Sequence, residues 1–251
     1  MNEHYRNLIA NEFRNCVDNT IQRISQGTTH RPFHSALLSD EALFWSSFER
    51  SFSTSFGQRV IEEIARIVAL SNGASIAERQ KSSVVTLDTA VIEAVDDHIR
   101  SLRGGHPMDW ASTLASIRNT TQSGNSKSFR VISDLWWNKD GIDNYMSIKT
   151  VKPNIDQTAV AKQDCLHLVM ANPNCNAYFG LPYNPFGENR EDYSFSPPMG
   201  IFDFKHDPVV LIGADMWDTV GGEGCYHEIL EIANQVGVET KEKISRLLGN
   251  N

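Results

Sequence analysis

No stretch of this chain is apolar for long enough to span a membrane. It has no Cys-x-x-Cys pair, no Cys/His zinc pattern among its eight histidines, and no Gly-x-x-x-x-Gly-Lys phosphate loop around its Ser123-Gly-Asn-Ser126 turn. Internal repeats and low-complexity linkers are also missing. The opening residues Met1-Asn-Glu-His-Tyr-Arg6 are charged and lack a signal-peptide core, so an intracellular, cytoplasmic protein with no membrane association is expected. The four cysteines (Cys16, Cys165, Cys175, Cys225) are scattered, which points to reduced structural thiols rather than a disulfide framework. What is present is ordinary globular composition: 251 residues, 40% hydrophobic and 22% charged, enough for one large domain or two small ones.

Basic charge is also in short supply. The net charge of −8 argues against a nucleic-acid binder, because phosphate contacts need Lys and Arg. The distribution softens that argument. From Arg118 to Lys162 there are seven basic and four acidic residues, a net +3, whereas Glu188 to Asn251 carries twelve acids and five bases, a net −7. A local positive field can attract DNA while the whole molecule stays acidic.

Apolar residues at three- and four-residue steps (Leu8, Phe13, Val17, Ile21, Ile24) predict a helix over 3–26, broken by Gly27–Pro32. Further helices are expected from Asp40 to about Phe48 with Ser39 or Asp40 as cap, from Gln58 to Leu70, and from Leu87 to Leu102. The character then changes. Ser128–Leu135 and Asn144–Val151 are rich in β-branched and aromatic residues and read as strands around an Asn-Lys-Asp-Gly turn. A crossover helix from about Gln157 to Met170, with Asp156 as N-cap, is followed by strands at Asn176–Tyr183 and Val209–Gly213. A short helix at Asp215–Val220 and a last one from Tyr226 to about Leu248 complete the chain. This order predicts one mixed α/β unit over 1–251: a mainly helical portion to about 110, then a sheet core with the hairpin and the C-terminal helix.

The hairpin carries the chemistry. Asp134 ends its first strand, and Lys149 lies inside the second, sharing a face with Ser147 while Ile148 points to the core. Across a strand ladder such an Asp and Lys come within reach of each other. A carboxylate that holds Mg²⁺ beside a lysine that orients water suits phosphodiester hydrolysis. On the residues alone, the same pair also reads as a turn-capping aspartate and a lysine whose stem lies along the sheet. Lys149-Thr-Val-Lys-Pro-Asn154 adds Lys152 and Asn154, then opens a helix whose N-terminus can receive a phosphate. The long loop from Tyr183 to Pro198 offers Asn184, Asn189 and Arg190 for base edges or phosphates. Trp136-Trp137 reads as strand-end packing and His167 as partly buried.

The run Ile148-Lys-Thr-Val-Lys-Pro-Asn-Ile-Asp156 resembles a signature of the TdeIII/MjaII-type type II restriction endonucleases, within the PD-(D/E)xK nuclease superfamily. Ser55-Phe-Gly-Gln58 leading into Glu62-Glu63, Phe179-Gly-Leu-Pro-Tyr-Asn-Pro185 and Trp217-Asp-Thr-Val-Gly-Gly222 extend the likeness over about residues 50–235. The resemblance implies a restriction-endonuclease-like α/β core, a central mixed β-sheet flanked by helices with a helical N-terminal portion. It further implies Mg²⁺-dependent cleavage of both strands of double-stranded DNA at a short palindromic site, of GGNCC type, by a homodimer whose genetic partner is a cognate DNA methyltransferase. By position, Asp134 matches the metal-binding aspartate and Lys149 the catalytic lysine, while Ser147 stands where a second acid is usual. Glu63 or Glu62 is expected to supply the missing carboxylate, with Asp143 a lesser choice. Lys127, Arg130, Lys152, Asn154, Asn184 and Arg190 are the expected DNA contacts. Two alternatives share the same residues: a structure-specific repair nuclease, or a DNA-binding derivative disabled by Ser147.

Overall fold

The computed structural model of the protein describes residues 1–26, 30–196 and 200–249. Residues 27–29 of the expected Gly27–Pro32 breaker, and residues 197–199 at the end of the long loop, lie outside the described residues. Helices α1 (Glu3–Gln26), α2 (Pro32–Leu37), α3 (Asp40–Ser55) and α4 (Ile61–Ser71) come first, then strand β1 (Ile76–Asp88) and helices α5 (Thr89–Arg103) and α6 (Trp110–Arg118). The antiparallel hairpin β2 (Ser126–Lys139) and β3 (Ile142–Ile148) follows. Helix α7 (Ile155–Ala171) then crosses over to β4 (Asn176–Leu181), and β5 (Val210–Ile212), α8 (Ala214–Gly221) and α9 (Cys225–Gly249) close the chain.

The five strands lie in the order β1-β2-β3-β4-β5. The first two pairings are antiparallel and the last two parallel. The mixed sheet flanked by helices, with a helical N-terminal portion, is the α/β architecture expected from the sequence. Parallel pairing of β3 with β4 requires a crossover, and α7 supplies it. The hairpin turns on Asp140 and Gly141, both at positive φ (54° and 79°), the backbone that a two-residue connection between twisted strands demands.

Two apolar clusters sandwich the sheet. One joins α1, α4, α8 and α9 to Leu135, Trp137, Met146 and Ile148; the other joins α5, α6 and α7 to Val85, Val131, Ala177, Phe179 and Val210. Helix α4 shows why it forms: Ile61, Ile64, Ala65, Ile67 and Val68 make one apolar stripe, and all are buried. All four cysteines are buried thiols whose pKa burial raises. Among the described residues no helix is long and apolar enough to cross a membrane.

Several boundaries differ from the sequence expectation. The largest difference is β1, where no strand was expected: its middle, Glu78-Arg-Gln-Lys-Ser-Ser83, is polar throughout and partly exposed on an edge strand, so it carries no alternating apolar period. Helix α6 was likewise not expected. Helix α3, expected to end at about Phe48, runs on to Ser55 and joins α4 through a π-helical segment, Phe56–Val60. The cap of α7 is Asn154, not Asp156: Asn154 and Gln157 form a reciprocal capping box, while Asp156 sits in the first turn and pairs with Arg103. Strand β3 stops at Ile148, one residue before Lys149, although the Lys149 N–H still donates to Gly180 O at 3.0 Å.

Candidate active site

Ladder pairing of β2 with β3 ends at Leu135 and Met146, so Asp134 lies at the mouth where the two strands part. There its carboxylate replaces a strand partner. Asp134 Oδ2 accepts from Ile148 N at 2.7 Å and from Lys149 Nζ at 2.9 Å. Ser147 Oγ donates to the same oxygen over 3.4 Å, a long and weak contact. Lys149 and Asp134 keep 26% and 16% of their side chains exposed, so the pair is held by the fold yet open to a substrate. The expected meeting of Asp134, Ser147 and Lys149 is therefore what the structure contains.

The other wall comes from α4 and β1. Glu62 and Glu63 are neighbours on a helix and point about 100° apart, so only one of them can face the site. That one is Glu62. It is buried, and Gln80 Nε2 donates both to Glu62 Oε1 at 3.0 Å and to Asp134 Oδ1 at 3.1 Å, so one amide joins the two carboxylates. Burial raises the Glu62 pKa above the usual carboxylate value. The charge of Asp134 adds to that shift, while Gln80, Arg79 and Lys149 oppose it. Glu63 is turned elsewhere: Arg66 binds both of its oxygens, at 2.6–3.1 Å, and Arg79 approaches at 3.3 Å. The expectation that Glu63 joins the site is corrected by these two arginines. Asp143 does not reach it either, because it accepts from Asn138 Nδ2 at the turn end of the hairpin.

Two neighbours of the site were not foreseen. Gln80 lies in a polar stretch that nothing in the sequence marks. Asp164, on α7 between the buried Lys162 and Cys165, has its carboxyl pushed up to about 6 by burial; the charge of Lys149 opposes that rise and the charge of Asp134 adds to it. An acid inside the buried stripe of a crossover helix was the signal available for it.

The expected DNA contacts divide. Lys127 and Arg130 are exposed on β2. Lys152 is exposed, its ammonium 5.2 Å from the centre of the Phe186 ring. Asn154 is the cap of α7, so the helix N-terminus expected to take a phosphate is already filled by the chain's own side chains. Asn184 is held within its loop, donating to Asn189 O and accepting from Phe186 N. Arg190 donates to Phe204 O at 2.7 Å and Asp207 O at 2.6 Å, with Asp215 3.7 Å away. These last three residues stabilise the fold and present few free polar atoms. Trp137 is buried and stacks on Tyr178, while Trp136 lies under Lys81. His167 is buried rather than partly exposed, and burial lowers its pKa.

Comparison with known proteins decides the class. The profile described as type II restriction endonuclease, HinfI, matches residues 1–237. The chain belongs to the HinfI family of type II restriction endonucleases. The type II restriction enzyme HgiCII of Herpetosiphon aurantiacus is 30% identical over 240 residues, covering 92% of this chain and 86% of the relative. HgiEI and HgiBI, type II restriction enzymes of the same organism, are each 29% identical over 252 residues, covering 97% of this chain and 90% of each relative. As a HinfI-family protein the chain is classed as a site-specific deoxyribonuclease. The match spans the N-terminal helices, the whole sheet and about half of α9, so α4 and β1, where Glu62 and Gln80 lie, fall within it.

Proposed function

We propose that this HinfI-family chain hydrolyses both strands of double-stranded DNA at a short palindromic site, with Asp134, Glu62 and Lys149 as its reacting centre. The observation that carries the reading is the convergence of Lys149 and, through Gln80, Glu62 on the single carboxylate of Asp134. Two carboxylates make a hard oxygen-donor pair, which suits Mg²⁺. Among the described residues no three His, Cys, Asp or Glu side chains cluster as a metal site, so Asp134 and Glu62 are the proposed carboxylate pair. When bound, Mg²⁺ supplies Lewis acidity and a more acidic water.

The protein residues do the rest. Asp134 fixes Lys149 with a charge-assisted bond and uses the Ile148 N–H to hold its own orientation. The Lys149 ammonium can then face the scissile phosphate. As water oxygen bonds to phosphorus and a bridging P–O bond breaks, negative charge grows on the phosphoryl oxygens, and a fixed cation stabilises it. Lys152, Lys127 and Arg130 are the proposed phosphate contacts along the backbone. A palindromic target implies a two-fold homodimer. The TdeIII/MjaII-type likeness of Ile148–Asp156 is the basis for proposing a GGNCC-type target, with a cognate methyltransferase protecting the host's copies.

Digestion of unmethylated phage DNA by purified protein, with Mg²⁺ and with EDTA, tests the reading. Discrete Mg²⁺-dependent bands whose sequenced ends share one palindrome are expected; DNA left intact under all conditions would sink it. Ser147 favours a second reading, because its hydroxyl replaces a charged ligand: sequence-specific binding without cleavage. Intact DNA together with a footprint that survives Lys149→Ala would select that reading.

A further inference from the structure

Gln80 stands in the interior of β1 at φ +49°. Its neighbours Arg79 and Lys81 pair with Leu135 and Ser133, while Gln80 and Asp134 between them drop out of the ladder. Apart from Asp140 in the hairpin turn, it is the one non-glycine at positive φ among the described residues. A left-handed residue inside a strand is strained, and persists only where its surroundings hold it. Here the irregular backbone aims the carboxamide between Glu62 and Asp134, and its NH₂ donates to both. A donor in that position offsets the repulsion between two carboxylates, which is also what a cation does.

We propose that Gln80 is the third oxygen donor of the cation site, filling the role left open by Ser147. This rests on the reading of Asp134 and Glu62 as the cation-binding pair. A carboxamide carries its oxygen and its NH₂ on one carbon, so half a turn about the last side-chain bond exchanges them without moving the backbone. Between two bare carboxylates the NH₂ faces inward. A divalent cation reverses that preference and turns the oxygen inward. The site then holds two charged ligands and one neutral ligand, the neutral one coming from β1 instead of β3.

Calorimetric titration of Mn²⁺ into the metal-free full-length protein, without DNA, tests this. Gln80→Gly removes the side chain and accepts the left-handed backbone; Gln80→Met keeps the length and lacks the oxygen. Both are expected to weaken Mn²⁺ binding by about tenfold or more while still unfolding cooperatively in EDTA. Gln80→Glu should bind Mn²⁺ more tightly than the parent. Adding Ser147→Glu to Gln80→Gly should restore binding, because an acid returns to the position Gln80 covers. If the Gly and Met variants bind Mn²⁺ like the parent while Asp134→Ala does not, Gln80 only spaces the carboxylates and the proposal fails alone. If the parent and Asp134→Ala behave alike, the cation pair itself is misread and the proposal falls with it. Failure of Ser147→Glu to restore binding overturns the substitution of one position for the other.

Discussion

Two polar regions of this chain invite the same reading, and the structure treats them oppositely. At the hairpin mouth, Asp134, Lys149, Glu62 and Gln80 turn toward one another with the site open on one side. In the loop that follows β4, polar groups turn inward and satisfy the chain itself. Arg190 binds two carbonyls, Asn184 closes its own turn, and Tyr193 is fully buried, stacked on Phe204 with its hydroxyl donating to Val151 O. Both regions are rich in Asn, Asp, Arg and aromatics. What separates them is where the hydrogen bonds go: a group already bonded to backbone carbonyls cannot leave for a ligand without exposing those carbonyls unpaired. Polar composition marks both regions, and only the bonding pattern tells a site from a brace.

The sharpest way to break this contrast is at the mouth. Asp134→Ala and Lys149→Ala are expected to lower cleavage by roughly 10³-fold or more while leaving far-ultraviolet dichroism unchanged. Cleavage within tenfold of the parent in either variant would mean the mouth is not the reacting centre. The loop should respond in the other way. Arg190→Ala strands the carbonyls of Phe204 and Asp207 and should destabilise the fold by about 2–4 kcal/mol. Thermal unfolding measures this. An Arg190→Ala protein that melts like the parent but no longer binds DNA would make the loop a reading surface after all.

A smaller effect separates stability from catalysis inside the site. The folded-state pKa of Asp164 is pushed up to about 6 from an ordinary value of 3.8. A raised carboxylate pKa means the folded state holds its proton more tightly than the unfolded one. Its contribution is therefore most favourable below pH 3.8 and is lost as pH rises through 6. Asp164→Asn should remove this dependence and stabilise the protein at pH 8 by about 1–2 kcal/mol. If melting curves of parent and variant keep the same separation from pH 4 to pH 8, the Asp164 carboxyl is not raised in the folded protein.

The two sides of the mouth also differ in how far the sequence reveals them. Asp134 and Lys149 were legible because a hairpin has a fixed period: alternation assigns the faces, and Asp-Gly at 140–141 sets the turn. Glu62 was legible only as one of a pair, since helix spacing cannot say which of two adjacent acids faces inward until Arg66 and Arg79 take Glu63. Gln80 was hidden because β1 is a polar edge strand without a buried period, and a left-handed residue there has no sequence mark unless it is glycine. The parallel half, β4 and β5 with α7 between β3 and β4, was legible as apolar runs separated by a capped helix. The cap itself was assigned two residues late, because Asn154 and Asp156 are both good capping residues and only the Gln157 side chain chooses between them. Trp217 shows a different limit. Its Nε1 donates to Pro182 O at 2.8 Å and so joins the Phe179–Pro185 and Trp217–Gly222 runs in space, a link between segments 35 residues apart that no local pattern carries.

The smallest expected effect is the most discriminating for Ser147. Its hydroxyl reaches Asp134 over 3.4 Å, whereas Lys149 and the Ile148 N–H hold the same oxygen at 2.9 and 2.7 Å. If those two shorter bonds fix Asp134, Ser147→Ala should change stability by less than about 0.5 kcal/mol and cleavage by no more than about threefold. A loss comparable to that of Lys149→Ala would make the serine hydroxyl a working part of the site, in contact with cation, water or phosphate. Near-silence would instead identify position 147 as one the chain no longer uses, with the site held from β1 and α4 on one side and by Asp134 and Lys149 on the other.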